Sequence, residues 1–411
     1  MARTLAPNPQ AEAGAPAARR WALLLWSSAI FGLQIGVARL GYGLALPAIR
    51  RALHGNYAAY GAVNTASLAG YLFGALAAPL LLRFVPRLVL WSSFVAGAAL
   101  VASAFANDVV SFGIARTVFG LASGVSLVAA AVETLEAVEG RIRGSASAAM
   151  WAGIGVGLAL SALATAWLLA GASHWRLGSL LSGLATLVAG IGYQLVLRRG
   201  ERSDMRTPAQ PRVPEIARFD LRDLVRPHRF LFLCLAYGAF GFAYISYATF
   251  VVASLEARLG PAQAAGSIAL LWGLYGLASV AGSFAIARVL DGRFGGASMA
   301  LTGLAGTIGC AIAVSSPHAA ALGAIFVGFG LAATPAAATA FARARSTSDG
   351  APAAIAAVTV AVGIGQLVGP LASGIAADAY GPASVALLAG CVYLLGMGFA
   401  VADAALVRDR A

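Results

Sequence analysis

Long apolar runs separated by short polar segments fill most of the chain. Each run is about 20 residues or longer, which is the length that a helix needs to cross a bilayer. Only helices and closed barrels satisfy the backbone in lipid, and these runs are too long and continuous for barrel strands. We therefore predict an all-α integral membrane protein. Its twelve transmembrane helices are expected at 22–49, 58–82, 88–106, 109–135, 144–170, 177–197, 230–254, 266–290, 297–314, 319–341, 352–376 and 383–406.

A polar segment at 198–229, with nine arginines and four prolines, divides the spans into six and six. The halves resemble each other, because Gly120 precedes Gly328 by 208 positions and Gly153-Ile-Gly precedes Gly363-Ile-Gly by 210. A repeated set of spacings indicates a duplicated unit. We predict two pseudo-symmetric six-helix bundles around a central cavity, an arrangement typical of secondary transporters. The expected divisions are an N-terminal tail at 1–20, bundles at 21–197 and 230–406, the linker at 198–229 and a tail at 407–411.

The arginines predict the orientation. All 28 basic residues are arginine, and 22 of them fall on the side of the termini and the linker, against four on the other side. Cytoplasmic loops hold such an excess of cations, so both termini are predicted to be cytoplasmic.

Composition excludes several classes of protein. Hydrophobic residues make up 60% of the chain and charged residues 11%, against the usual ~25% charged, which excludes both a charged soluble surface and disorder. The net charge of +12 is explained by the loops, so no nucleic-acid partner is expected. The three cysteines are isolated, and we expect no disulfide, metal site, cofactor or enzymatic activity, because no motif for these is present.

Local motifs carry a resemblance to a known family. Arg116-Thr-Val-Phe-Gly120 in span 4 and the loop Asp291-Gly-Arg293 are similar to signatures of the major facilitator superfamily, although the loop after span 2 lacks the family's acid. The segments around Gly41 and Tyr71, together with Gly365-Gln366-Leu-Val-Gly369-Pro370, resemble the YbfB/YjiJ-like branch. The resemblance implies a carrier that works by alternating access, acts as a monomer and lies in a bacterial inner membrane. In this context Gly120, Asp291, Arg293, Gly365, Gly369 and Pro370 are candidate gating residues, with tight helix packing as the alternative for the glycines of span 11.

Two arginines lie inside predicted spans. Arg39 and Arg116 are candidates for a binding cavity, because an ionisable group in the membrane is costly and is often functional. The alternatives are snorkelling to the interface and bonding to helix carbonyls. Further polar groups within spans complete the candidate binding set: Tyr42, Asn64, Tyr71, Tyr237, Tyr244, Trp272, Tyr275 and Gln366.

The excess of positive charge predicts the class of substrate. No acid lies in the middle of a predicted span, and Glu133, near the inner end of span 4, is the candidate for proton coupling. A guanidinium matches a carboxylate, so we expect transport of a small organic anion, linked to protons or to exchange. A proton-driven exporter of drugs or other small molecules is the alternative.

Overall fold

The computed structural model describes residues 17–138, 143–171, 173–203, 231–289, 295–344 and 351–408. These residues form helices joined by short turns, which confirms the predicted all-α class. Each helix is labelled by its order as a predicted span. The helices are α1 (Ala17–Phe31, Gly32–Leu40 and Gly41–Leu53), α2 (Tyr57–Phe84), α3 (Leu88–Ala104), α4 (Val109–Glu136), α5 (Arg143–Leu163, followed by Thr165–Ala170), α6 (His174–Ser203), α7 (Leu231–Leu259), α8 (Pro261–Val289), α9 (Gly295–Ser315), α10 (Ala320–Ala344), α11 (Ala351–Tyr380) and α12 (Ser384–Arg408).

Eleven of the described helices are long and apolar enough to cross a membrane. The other, α3, is apolar throughout but has 17 residues. Large apolar side chains such as Phe73, Phe94 and Leu301 stay exposed on the outer faces of the bundle, where lipid rather than water suits them. The exposed surface of the bundle is thus apolar, as a surface that faces lipid must be.

Specific residues end the helices. The side chain of Asn56 accepts from the backbone N–H of Ala59 at the start of α2, and Asp108 accepts from two backbone N–H groups at the start of α4. These N-caps satisfy donors that the first turn leaves open. Gly260 and Gly381 adopt left-handed φ values of 79° and 82°, which a residue without a Cβ does at little cost.

Equivalent glycine contacts relate the two halves. Gly120 of α4 packs against the carbonyl oxygen of Ser67 in α2, and Gly328 of α10 packs against that of Tyr275 in α8. Both partners shift by 208 positions, from 120 to 328 and from 67 to 275. The same shift relates the contacts of Gly74 with Leu121 and of Gly282 with Phe329. Because small residues let helix backbones approach closely, the duplicated pattern produces duplicated packing, and two pseudo-symmetric six-helix bundles result.

One sequence alignment between the halves is wrong by two residues. Gly157 of α5 packs against the carbonyl oxygen of Gly32 in α1, and Gly365 of α11, 208 positions later, packs against that of Gly238 in α7. Gly363, which the sequence matched with Gly153, corresponds instead to Gly155, because Gly363 meets the side chain of Leu72 and Gly155 meets that of Val280, again 208 positions apart. The two Gly-Ile-Gly triplets are therefore not equivalent, because helix packing follows backbone contact rather than the shared letters.

The two halves meet along three pairs of helices. The helix α2 packs against α11, α5 packs against α8, and the Gly41–Leu53 segment of α1 (its outer part, below) packs against α7. Successive spans alternate in direction, so the start of α1, the end of α6, the start of α7 and the end of α12 lie at one end of the bundle. We call this the terminal end and the opposite one the distal end. The site described next lies where α1 and α2 of the first half face α7 and α11 of the second.

Candidate functional site

The helix α1 widens where it enters the site. Residues Gly32–Leu40 form a π-helical stretch, and the N–H of Gly41 donates to the carbonyl of Gly36, five residues earlier. Such stretches are rare and occur often at functional sites. The glycines Gly32 and Gly36 bring this stretch into backbone contact with α5. The sequence pattern did not reveal the change of helix type, which places Arg39 at the interface between the halves.

Arg39 connects the two halves through neutral partners. Its side chain is 6% exposed, and its Nη2 donates to Oε1 of Gln366 in α11 at 3.0 Å. The Nε2 of Gln366 donates in turn to the hydroxyl of Tyr244 in α7 at 2.8 Å. The guanidinium also lies over the ring of Tyr71 in α2, 4.2 Å from its centroid. Four of the predicted site residues are thus brought together.

Arg116 is held within the first half. It is 5% exposed, and its Nη2 donates to the carbonyl oxygen of Ala38 at 2.9 Å. Its guanidinium lies 5.2 Å from the ring centroid of Tyr42 and 4.9 Å from that of Phe119. This is the predicted alternative of bonding to a helix carbonyl. Since Ala38 precedes Arg39, Arg116 positions the backbone that carries Arg39, and both cations remain in the same region of low dielectric.

The site carries an excess of positive charge. Within the described part of the chain, neither Arg39 nor Arg116 has a carboxylate within 4.0 Å. The carboxylates whose side chains are described lie toward helix ends: Asp108, Glu133, Glu136, Glu256, Asp378 and Asp403. Asp403 is nonetheless buried, with 4% of its surface exposed. The described residues contain no group of three or more His, Cys, Asp or Glu able to hold a metal ion.

A second polar contact crosses between the halves nearer the distal end. The Nδ2 of Asn64 in α2 donates to Oγ1 of Thr249 in α7 at 2.8 Å, and both side chains are buried. Tyr42 does not cross, since its hydroxyl donates to the carbonyl of Tyr60 within the first half. The sequence indicated Asn64 only as a polar group within an apolar span. The fold supplies Thr249 from 185 positions away.

Aromatic rings form a wall beside Arg39. The rings of Tyr237 and Phe240 stack at 5.9 Å, and those of Phe240 and Tyr244 at 5.0 Å. Trp272 and Tyr275 lie deeper in the second half, in contact with each other and, for Tyr275, with Tyr247. Both are fully buried. Among the described contacts neither bonds to either arginine, so the structure does not bring these two predicted site residues into the group around Arg39.

Glu133 lies in a different place from the arginines. It sits beside the hydroxyl of Tyr193 in α6, at the terminal end of the first half. Thr134 connects this hydroxyl, 3.1 Å away, to the hydroxyl of Ser27, 2.6 Å away. The sequence indicated Glu133 but not the three buried hydroxyl groups around it, because they come from α1, α4 and α6. This cluster is separate from the contact between the halves.

The predicted gating residues have packing roles. Gly365 and Gly369 pack against the backbone of α7 within the second half, and Gly120 packs within the first. The helix α11 runs without a break from Ala351 to Tyr380 through Pro370, whose carbonyl oxygen meets Gly61 of the other half. Asp291 and Arg293 lie outside the described residues.

The halves are joined at the distal end. Arg51 of α1 and Glu256 of α7 form a salt bridge at 2.8 Å. The carboxylate of Asp378 in α11 accepts from the backbone N–H groups of Tyr57 and Ala58 at the start of α2. A carboxylate at a helix N-terminus is favourable because unpaired N–H groups and the helix dipole meet it there. The same carboxylate therefore caps one half and fastens it to the other.

Comparisons with known proteins agree with this arrangement. A family profile described as "Uncharacterised MFS-type transporter YbfB" matches residues 31–402. A crystal structure of nucleoside transporter NupG has a TM-score of 0.72 at 12% identity, covering 94% of this chain and 98% of that one. A bacterial homologue of the human lysosomal transporter Spinster, in an inward-facing and unoccupied conformation, has a TM-score of 0.71 at 14% identity, covering 95% and 96%. No curated protein matches the sequence.

These structural likenesses establish the fold, and the family follows from the sequence match. The match covers nearly the whole length over which α1 to α12 form the two bundles. The chain belongs to the YbfB-like family of major facilitator superfamily transporters.

Proposed function

We propose that this protein is a secondary transporter of a small organic anion, a carboxylate, working by alternating access. The observation that carries the proposal is the pair of buried arginines, Arg39 at the contact between the halves and Arg116 behind it in the first half, both with neutral partners. An intramembrane cation is costly unless something compensates its charge. An anionic ligand would neutralise that charge, and charge-assisted hydrogen bonds to the guanidinium would strengthen its binding.

Arg39 is the residue we assign to the carboxylate. Its Nη2 is bonded only to a neutral amide, and its Nε is buried without a bond. A guanidinium offers several donors in one plane and so matches two carboxylate oxygens. Tyr71 and Gln366 are partly exposed beside it, which supports access for a ligand. Arg116 would add positive potential and hold the backbone that carries Arg39.

The conformation supports alternating access as the mechanism. We propose that the protein lies in a bacterial inner membrane with the terminal end in the cytoplasm, and that the distal end faces outward. The contacts of Arg51 with Glu256 and of Asp378 with α2 would then close the outer side. Transport would require these contacts to break. The protein would act as a monomer, because all the groups assigned to the site come from one chain.

Glu133 supports a proton-linked mechanism or, as the alternative, proton-driven export of other small molecules. Its carboxylate sits beside a buried tyrosine hydroxyl, where a proton could be held and released. The relative NupG is a nucleoside transporter, so a neutral substrate belongs among the tested ligands. Binding of carboxylates would favour the anion carrier, and binding of cations or neutral molecules alone would favour the exporter.

Binding by the purified protein tests the proposal. We would measure the melting temperature in detergent with succinate, lactate or benzoate, and with tetraphenylphosphonium and uridine, at constant ionic strength. A ligand at 100 times its Kd stabilises the folded state by about 2.7 kcal/mol. We expect carboxylates to raise the melting temperature of the wild type and not that of Arg39→Gln.

Arg176→Gln is the matched control. Arg176 also donates to a helix carbonyl, that of Ala104 at 2.6 Å, but it lies at the distal end away from the site. Its replacement removes the same charge and should leave carboxylate binding intact. Stabilisation by tetraphenylphosphonium or uridine alone would contradict the anion proposal and favour export or another substrate. Uptake of a stabilising carboxylate into proteoliposomes would then test transport itself.

A further inference from the structure

The side chain of Gln366 occupies a position that a substrate carboxylate would need. Its Oε1 accepts from Nη2 of Arg39 at 3.0 Å, and its Nε2 donates to Tyr244 at 2.8 Å. Both ends of the amide are therefore in use. The chain of bonds runs from α1 of the first half through α11 to α7 of the second.

The amide oxygen of Gln366 accepts a weaker hydrogen bond from Arg39 than a carboxylate oxygen would. Both accept a hydrogen bond from the guanidinium in the same way, but only the carboxylate neutralises its charge. A charge-assisted pair is roughly twice as strong as a bond to a neutral group. A ligand carboxylate would therefore displace the amide oxygen from Nη2 of Arg39. It could also accept from Nε of Arg39, which is buried and has no hydrogen bond.

We propose that Gln366 is a built-in competitor of the transported anion, and that the anion displaces it from Arg39 on binding. This inference rests on the proposed function. The displacement needs only the side chain to turn, since the backbone beside it is held by Thr65, whose hydroxyl donates to the carbonyl of Leu367 at 2.7 Å. Gln366 is partly exposed, which leaves it room.

Displacement also removes a bond between the halves. The contact of Arg39 with Gln366 joins α1 to α11, and it ends when the anion takes its place. Binding of the substrate thus releases one of the side-chain contacts that join the two halves. A carrier needs such a link, because a ligand shifts a conformational equilibrium only through its different affinity for the two states.

The change in affinity on replacing Gln366 distinguishes a competitor of the substrate from an ordinary ligand of it. If Gln366 were an ordinary ligand of the substrate, its removal would weaken binding. If it competes with the substrate, Gln366→Ala binds the anion more tightly, because no bond to Arg39 must first be broken. We expect benzoate and succinate to bind this variant about tenfold more tightly, which is about 1.4 kcal/mol. Gln366→Glu, which would place a carboxylate permanently beside Arg39, should lower the affinity by at least about tenfold.

Two further variants make the test specific. Gln366→Met keeps the length of the side chain without its acceptor, so it should also bind more tightly, even if the alanine variant folds poorly. Thr65→Val removes the neighbouring bond between the halves without touching Arg39. Its affinity should stay within about twofold of the wild type, and a gain as large as that of Gln366→Met would show that loosening the halves is enough, which overturns the competitor role.

Isothermal titration of each purified variant with benzoate and with succinate decides between the outcomes. Weaker or unchanged binding by both Gln366→Ala and Gln366→Met overturns the inference, while Arg39-dependent binding by the wild type leaves the proposed function in place. A wild type that binds neither probe, and gains no binding in either Gln366 variant, contradicts both. A wild type that binds neither while the two variants do would support the competitor role strongly.

Discussion

Gly43 gives the sharpest test of how the halves move. This residue in the outer part of α1 faces Ala248 of α7, and a Cβ added to it would overlap the carbonyl oxygen of Ala248. It would also lie 3.0 Å from the carbonyl carbon of Ala248 and 3.1 Å from Cα of Thr249. The obstacle is backbone, which cannot turn away as a side chain can. Gly43→Ala should therefore disfavour the state in which the distal end is closed.

The size of the effect follows from the overlap. Ordinary contacts of a Cβ lie at 3.4 Å or more, so α1 and α7 must separate locally. Overpacking of this kind costs about 1–3 kcal/mol. Because the halves can relieve it by rocking apart, we expect most of this energy to appear as a change in the ratio of the two states, by about 5- to 150-fold.

Distances between spin labels measure that ratio. Labels on Asn107→Cys in the first half and His318→Cys in the second, with the three native cysteines replaced, report the width of the distal end. We expect Gly43→Ala to add or enlarge a population at longer distance. Gly41→Ala is the control, since its Cβ would meet only its own helix, at 3.7 Å.

Two results would refute this reasoning. The first is an unchanged distance distribution in a folded Gly43→Ala protein. The second is an equal change in Gly41→Ala, because the effect would then come from altering α1 and not from its contact with α7.

Three further predictions concern packing and capping. Gly120→Ala should lower the melting temperature without widening the distal end, because its clash lies within one half; spin-label distances that also lengthen would contradict this. Asn64→Ala and Thr249→Val should be non-additive in a double-mutant cycle of unfolding, by about 0.5–1.5 kcal/mol, whereas strict additivity would count against a direct bond. Hydrogen bonds from the backbone and hydroxyl of Ser111 lower the pKa of Asp108 below its ordinary value of 3.8. The stability gained over Asp108→Ala, followed by thermal unfolding, should therefore be complete above pH 3.8 and decline as the pH falls through the lowered pKa.

The helices were predictable because their signal is local. Runs of apolar residues about 20 long permit no other structure in lipid, and caps such as Asn56 and Asp108 mark their starts. The equivalence of Gly120 and Gly328 was predictable for the same reason. The pairing of Gly157 with Gly365 was not, because identical triplets at an offset of 210 matched Gly153 with Gly363, and only the backbone contacts with α1 and α7 give the offset of 208.

The candidate site was predictable in its residue types. Arg39, Gln366, Tyr244 and Tyr71 stand out as polar or aromatic positions within apolar spans, because such positions are costly in a membrane. Their mutual bonds were not, since 327 positions separate Arg39 from Gln366 along the chain. Arg116 and Arg39 looked alike in sequence, yet one holds a helix carbonyl and the other reaches the opposite half.

Hydrophobicity and repeat spacing are properties of segments, so the amino-acid pattern alone indicates a membrane protein of twelve helices in two related halves. The contacts between those segments depend on the tertiary structure. It widened α1 into a π-helical stretch, gave Arg39 a neutral partner from the other half, and closed the distal end through Gly43, Arg51 and Asp378. These depend on which helices face each other, and helix packing in lipid is set by the close fit of backbones and small side chains rather than by apolar character, which every span shares.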